Sequence, residues 1–210
     1  MTQMDIVTEF KKKTSMVSSM VHEAQSIQDA LEIAVSVCVK KSPAMMTNSS
    51  SETPHTGDSD SRISLMHGKT MAALDLDEDK LKILAKLCSD NNIDLITESL
   101  RNHGTGIDVG ITTADYGIAD TGTLVVSSDS EEKRLATMIS EIHVALLLKS
   151  NIRPSALAMC EELELLTSKP SSYTAFITGP SRTADIERVL AIGVHGPLEL
   201  HIILLDDIEK

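Results

Sequence analysis

The run Thr178-Gly179-Pro180-Ser181-Arg182-Thr183 has the composition of an anion cradle at the end of a strand. Gly179 and Pro180 force a sharp turn, and Ser181 or Thr183 can cap the helix expected to follow. The first backbone N–H groups of that helix would then point outward without intrahelical partners. Arg182 adds a planar, fork-shaped donor suited to carboxylate or phosphate. The same residues also satisfy an ordinary turn, in which Asp185 and Glu187 complement the helix dipole and Arg182 pairs with one of them. Both readings stand on the sequence alone. Ser181 is set aside as a nucleophile because Gly179-x-Ser181-x-Thr183 lacks the second glycine of a nucleophile elbow.

A second segment, Gly110 to Thr123, gathers acids, hydroxyls and glycines just before a strand. Asp115 and Asp120 suit acid–base work or the acceptance of hydrogen bonds from a hydroxylated ligand, with Thr121, Gly122 and Thr123 letting that ligand approach the backbone. Asp-Thr-Gly-Thr is equally ordinary turn chemistry. His195, between Gly193 and Gly196, lacks neighbours that would bury it and is a second acid–base candidate beside Asp120. Glu141-x-His143 and Glu199-x-His201 each put an acid and an imidazole on one face of a strand. A metal needs three or four converging ligands, so both pairs read as polar strand positions. Gly68-Lys69-Thr70 fails as a phosphate loop because its first glycine would fall at Ile63, and Gly104, Gly106 and Gly110 miss the dinucleotide spacing.

The elements that must position these residues alternate. A weak amphipathic helix near Asp5 to Ser15 leads to a short strand at Met20 to His22. Ser26, with Asp29 three residues on, caps a helix whose apolar face carries Ile27, Leu31, Ala34, Val35 and Cys38. Asp77 to Asp90 has helical spacing, with Leu81, Leu84, Ala85 and Leu87 at core positions. Strands are expected at Thr121 to Ser127, His143 to Leu148, Tyr173 to Thr178 and Leu198 to Leu205, and helices at Pro154 to Leu166 and Thr183 to Ile192. This alternation predicts an α/β fold with an open, largely parallel sheet flanked by helices. The whole chain, 1–210, is expected to form one domain, broken by a polar, mobile loop at about 41–62.

Composition narrows the partners. Lys plus Arg number 19 against 31 Asp plus Glu, a net charge of −12 that repels nucleic acid and anionic lipid heads. Two Tyr, two Phe and no Trp leave no stacking platform for bases. Cys38, Cys88 and Cys160 are too far apart for a metal knuckle or a disulfide framework and read as buried thiols of a reducing cytoplasm. Apolar runs such as Val144 to Leu148 are too short to span a bilayer, so a cytoplasmic location without membrane insertion is expected.

Three blocks, Gly117 to Thr123, Ile177 to Glu187, and Gly193 to Pro197 with the strand after it, resemble in order and spacing the LUD domain family typified by lactate utilization protein C. The similarity covers the last half of the chain well and the first half loosely. It implies a fold similar to the NagB/RpiA/CoA-transferase group and a link to the oxidation of L-lactate to pyruvate beside iron–sulfur proteins. The sequence departs from the family pattern where Asp120 replaces the usual Glu, where Ser140-Glu141 replaces a common Pro, and in the Ser-rich loop.

The chain has no cysteine cluster and no flavin or nicotinamide fingerprint, so redox cofactors belong to partners. The expected function is a non-redox subunit of a lactate-oxidising system that works with iron–sulfur subunits. It would bind a small carboxylate or phosphate through Gly179, Pro180, Ser181, Arg182 and Thr183, with Asp115, Asp120, Thr121, Gly122, Thr123 and His195 lining the same cleft. The alternative is a stand-alone isomerase or acyl/CoA-transferase using Asp120 or His195 as acid–base. The sequence leaves open whether the chain is itself an enzyme.

Overall fold

Strands buried on both faces read as continuous apolar runs, and Leu200 to Leu205 and Ile142 to Leu147 are such runs, the histidines apart. In the computed structural model, which describes residues 2–41, 68–100, 107–128, 130–168, 173–183, 191–192 and 196–207, they form the centre of a six-stranded sheet. Its strands are β1 (Met20–Ala24), β2 (Lys69–Ala73), β3 (Ile93–Ile96), β4 (Ile107–Thr113), β7 (Ser140–Leu148) and β12 (Glu199–Leu205). They run parallel throughout, in the order β1-β12-β7-β4-β2-β3. The expected α/β class with an open parallel sheet is therefore the observed one.

A smaller sheet lies beside it, in the order β8-β5-β6-β9. Its members are β5 (Tyr116–Ile118), β6 (Thr123–Ser128), β8 (Ile152–Arg153) and β9 (Tyr173–Ile177). β6 is antiparallel to both neighbours. A two-residue ribbon pairs β10 (Arg182–Thr183) with β11 (Ala191–Ile192).

Helices cover the parallel sheet on both sides. α2 (Ile27–Lys40) and α3 (Glu78–Asp90) seal one face over Met71, Val109, Ile111, Val144, Leu146 and Ile203. α1 (Gln3–Met16) lies on the other face, where Phe10 joins Leu147, Leu200, Ile202 and Leu204. α4 (Glu131–Ile139) adds Ala136 to a cluster with Ala72 and Ile107. Each fully buried Leu or Ile contributes roughly 1.5–3 kcal/mol relative to exposure, so these clusters carry the fold. The helix starts follow local chemistry: Ser26 and Asp29 form the expected reciprocal capping box, and Thr2 with Asp5 forms another.

Several expectations need correction. Ala85 is exposed, because α3 buries the stripe through Leu84 and Cys88 one position round the helix. The helix expected from Pro154 begins only at Cys160, as α5 (Cys160–Thr167), after a 3-10 turn at Leu157–Met159. Arg153 ends the strand β8, and the carbonyls of Arg153 and Pro154 accept hydrogen bonds from Ala119 N and Asp120 N, which holds this segment out of a helix. Thr183 and Ala191–Ile192 are strand rather than helix, each backbone occupied by the ribbon pairing; 184–190 lie outside the described residues. Cys160 is exposed on the first turn of α5, whereas Cys38 and Cys88 are buried as expected.

The expected loop at 41–62 lies outside the described residues except for Lys41. That residue is anchored, its ammonium 2.5 Å from Asp108 and 2.9 Å from Glu141. Among the described residues no helix is long and apolar enough to cross a membrane.

Candidate functional site

Alternation along β7 sends Ile142, Val144 and Leu146 toward α2 and α3, and therefore turns His143 to the opposite face. There the imidazole is buried at 1% exposure, and its Nε2 lies 2.7 Å from Thr112 Oγ1 on neighbouring β4. Burial pushes its pKa down to about 4, and the nearby Lys133 ammonium acts in the same direction. His143 is therefore neutral at pH 7 and serves as a hydrogen-bonding group. Lys133 is itself held 2.9 Å from Asp75, whose Oδ2 also accepts from Thr113 N.

His143 sits in the wall of a cavity of about 340 Å³. Three elements build the rest. α4 contributes Arg134, Thr137 and Met138; β9 contributes Tyr173, Phe176 and Ile177; the turn Thr178 to Ser181 closes one end against Gly196 and Pro197. The Arg134 guanidinium lies over the Tyr173 ring, 5.7 Å from its centroid, and makes no ion pair with a described residue. A stacked guanidinium keeps its N–H fork available for an oxyanion while losing little conformational freedom on binding one. Arg134 supplies charge, Thr178 and the turn supply polar groups, and Met138, Phe176 and Leu200 supply an apolar wall. A cation, a few polar groups and an apolar wall are the ordinary make-up of a small-molecule site.

The turn is positioned by its backbone. Gly179 has φ +76°, and a Cβ there would lie 2.5 Å from Val17 O, so the turn is clamped on the end of α1. Ser181 N donates to Pro197 O at 2.8 Å, tying the turn to the start of β12.

The residues singled out from sequence divide accordingly. Gly179, Pro180 and Ser181 line the cavity. Arg182 and Thr183 follow immediately as β10. Thr121 and Thr123 reach the cavity indirectly: Thr121 Oγ1 lies 2.7 Å from Thr123 Oγ1, which lies 2.8 Å from Thr178 Oγ1. Gly122, at φ +66°, packs on α1, where a Cβ would come within 2.5 Å of Thr14 N. Asp115 points its chemistry elsewhere, since its Oδ2 accepts from Ser127 N at 2.7 Å and braces the β5–β6 hairpin. Asp120 is exposed and does not line the cavity; its N–H donates to Pro154 O. His195 lies outside the described residues.

Sequence reasoning missed Arg134 altogether and read His143 as a routine polar position. A lone imidazole inside the otherwise apolar run Ile142 to Leu147 was the available signal. The two Glu-x-His pairs do not converge: Glu141 meets Lys41, whereas Glu199 and His201 join His22. Among the described residues no group of three or more His, Cys, Asp or Glu is placed to hold a metal ion.

Comparison with known proteins adds to this geometry. The model of the LUD domain family matches residues 7–205. Lactate utilization protein C of Halalkalibacterium halodurans is 37% identical over 103 residues, 48% of this chain and 45% of that protein. Lactate utilization protein C of a Geobacillus strain is 38% identical over 103 residues, covering 47% and 42%. The uncharacterized protein YkgG of Escherichia coli is 33% identical over 102 residues, covering 47% and 44%. The chain thus spans under half the length of the curated relatives it matches. Among solved structures, a DUF162 family protein from Deinococcus radiodurans superposes with a TM-score of 0.61 over 98% of this chain and 99% of that one, at 12% identity. At that identity the likeness shows a shared fold.

Proposed function

We propose, from the premise that this chain belongs to the LUD domain family, that it serves lactate utilization as a non-redox, carboxylate-binding subunit. Relatives named for lactate utilization supply the pathway. The cavity supports this mode of action, because Arg134, the Gly179 to Ser181 turn and neutral His143 line one space of about 340 Å³. In this reading Arg134 takes the carboxylate in a two-pronged hydrogen bond, with Arg182 beside the turn as a second candidate donor. His143 shares a hydrogen bond with the ligand or its water without gaining a proton. Electron transfer then belongs to iron–sulfur partners in the cytoplasm, because the sequence offers no cysteine cluster to hold such a centre.

The convergence of Arg134 with the Gly179 to Ser181 turn is the observation that carries the reading. Its test is calorimetric titration of the purified chain with L-lactate and with pyruvate. Arg134→Ala is expected to weaken binding by about 10–150-fold, the range for one hydrogen bond to a charged group, while leaving the unfolding midpoint in place. Arg182→Ala measures the second candidate in the same way. Binding that is equal in wild type and in both variants overturns the assignment.

A further inference from the structure

A second polar constellation lies at the β1–β12 edge of the parallel sheet, outside the lining of the carboxylate cavity. β1 and β12 run parallel in a register that sets Met20 beside His201, and the side chains of His22 and His201 meet on the face covered by α2. Their rings are parallel within 3°, with centroids 5.2 Å apart, and His22 Nε2 lies 3.0 Å from His201 Nδ1. His201 is almost fully buried, and its other nitrogen, Nε2, lies 3.0 Å from the carboxylate of exposed Glu199.

Hydrogen-bond logic fixes the tautomers. An ionised carboxylate only accepts, so His201 carries its proton on Nε2 and presents a bare Nδ1. That Nδ1 accepts from His22 Nε2–H, which leaves His22 Nδ1 as the unprotonated nitrogen at the outer end of the chain. His22 lines a hollow of about 410 Å³ against α2, shared with Asp29, Glu32, Ser36 and Lys40. Both of its carboxylates accept hydrogen bonds, Asp29 from Ser26 N and Glu32 from Gln28 Nε2. Lys40 is the cation of the hollow.

We propose that Glu199, His201 and His22 form an acid–base relay whose outer nitrogen serves a second small-molecule site between β1 and α2. Its ligand is an oxyanion that also carries an O–H, with an anionic oxygen on Lys40 and the hydroxyl proton directed at His22 Nδ1. When the ligand gives up that proton, His22 becomes an imidazolium. Its Nε2 proton can then pass to His201 Nδ1, making His201 the imidazolium beside the Glu199 carboxylate. The ligand O–H breaks as His22 Nδ1–H forms, and His22 Nε2–H breaks as His201 Nδ1–H forms, with no change of oxidation state. Burial above all, with the charge of Lys40, holds the His22 imidazole below its ordinary range, so the nitrogen is free to accept at neutral pH. Glu199, Asp29 and Glu32 are the carboxylates around it; Glu23, the next residue of β1, is engaged by Lys11 and Lys149.

The reading is independent of the carboxylate cavity and is tested separately. Acylation of the histidines with diethylpyrocarbonate, followed by peptide mass spectrometry, reports how reactive His22 is in the intact chain. Glu199→Gln, at an exposed position, is expected to slow acylation of His22 by about tenfold or more, because the relay loses its anionic end. Inorganic phosphate and glycolate, used as separate probes, are expected to protect His22 saturably, with protection lost in Lys40→Ala and retained in Arg134→Ala. Protection by only one of the two identifies phosphate or hydroxycarboxylate as the class. An unchanged rate in Glu199→Gln, or no protection by either probe, overturns the proposal. Protection abolished by Arg134→Ala also overturns it, by moving the oxyanion to the other cavity.

Discussion

Through its centre the parallel sheet shows α2 and α3 a surface of Met71, Val109, Ile111, Val144 and Leu146, all essentially without solvent contact. One residue along the same strands, the opposite surface carries Thr112 and His143 and opens into a cavity under α4 and β9. Both surfaces belong to the same strands, so the pleat alone separates them. The sealed surface carries stability, and the polar one accepts a cost in stability to hold groups that a ligand can use. A polar pair placed in such a wall has to be complete, since either half alone is an unpaired buried group.

The contrast can be broken from either side. Ile203→Ala on the sealed surface should have the largest effect, about 2–5 kcal/mol of stability by chemical denaturation, because the site is fully buried and closely packed. On the polar surface, acid should act through His143. Its folded-state pKa of about 4 lies below the unfolded value near 6.5, so the unfolded chain binds the extra proton first. The stability it contributes is complete above pH 6.5, falls as pH drops toward 4, and amounts to no more than about 3 kcal/mol. The check is the slope of unfolding free energy between those limits, which should flatten in His143→Gln. Thr112→Val sharpens the comparison further: it leaves the buried imidazole nitrogen unpaired at a cost of about 1–3 kcal/mol, without the cavity that Ile203→Ala creates. An equal or larger loss for Thr112→Val than for Ile203→Ala would mean that the polar surface is the stabilising one.

What could be read from sequence follows the same division. The strands β7 and β12 and the capped start of α2 were legible because continuous apolar runs and a Ser-x-x-Asp box are local signals. β2 escaped notice because Lys-Thr-Met-Ala-Ala has little β character of its own and is held by its neighbours β3 and β4. The false helix from Pro154 had the residues of a helix start, but pairing of its backbone with the Ala119–Asp120 segment decided the matter. At the candidate site, the turn from Gly179 to Ser181 was legible from its Gly-Pro punctuation. Arg134 was not, because an arginine on an amphipathic helix looks like any solvated cation until Tyr173, 39 positions later, comes to lie beneath it. Asp115 shows the converse, a carboxylate that suggested chemistry and was recruited to brace a hairpin.

The position of β12 between β1 and β7 has a consequence for how the chain is made. During synthesis β1 and β7 both emerge before β12, so the two wait on either side of an unfilled slot whose backbone groups lack partners. A slot of this kind is closed only by contacts spanning up to 181 positions, as between Met20 and His201, and such long-range closure is slow. Until β12 arrives, the edge of β7 is open to strands of other nascent chains. The arrival of β12 between β1 and β7 therefore decides whether this sheet closes on itself or on a neighbour.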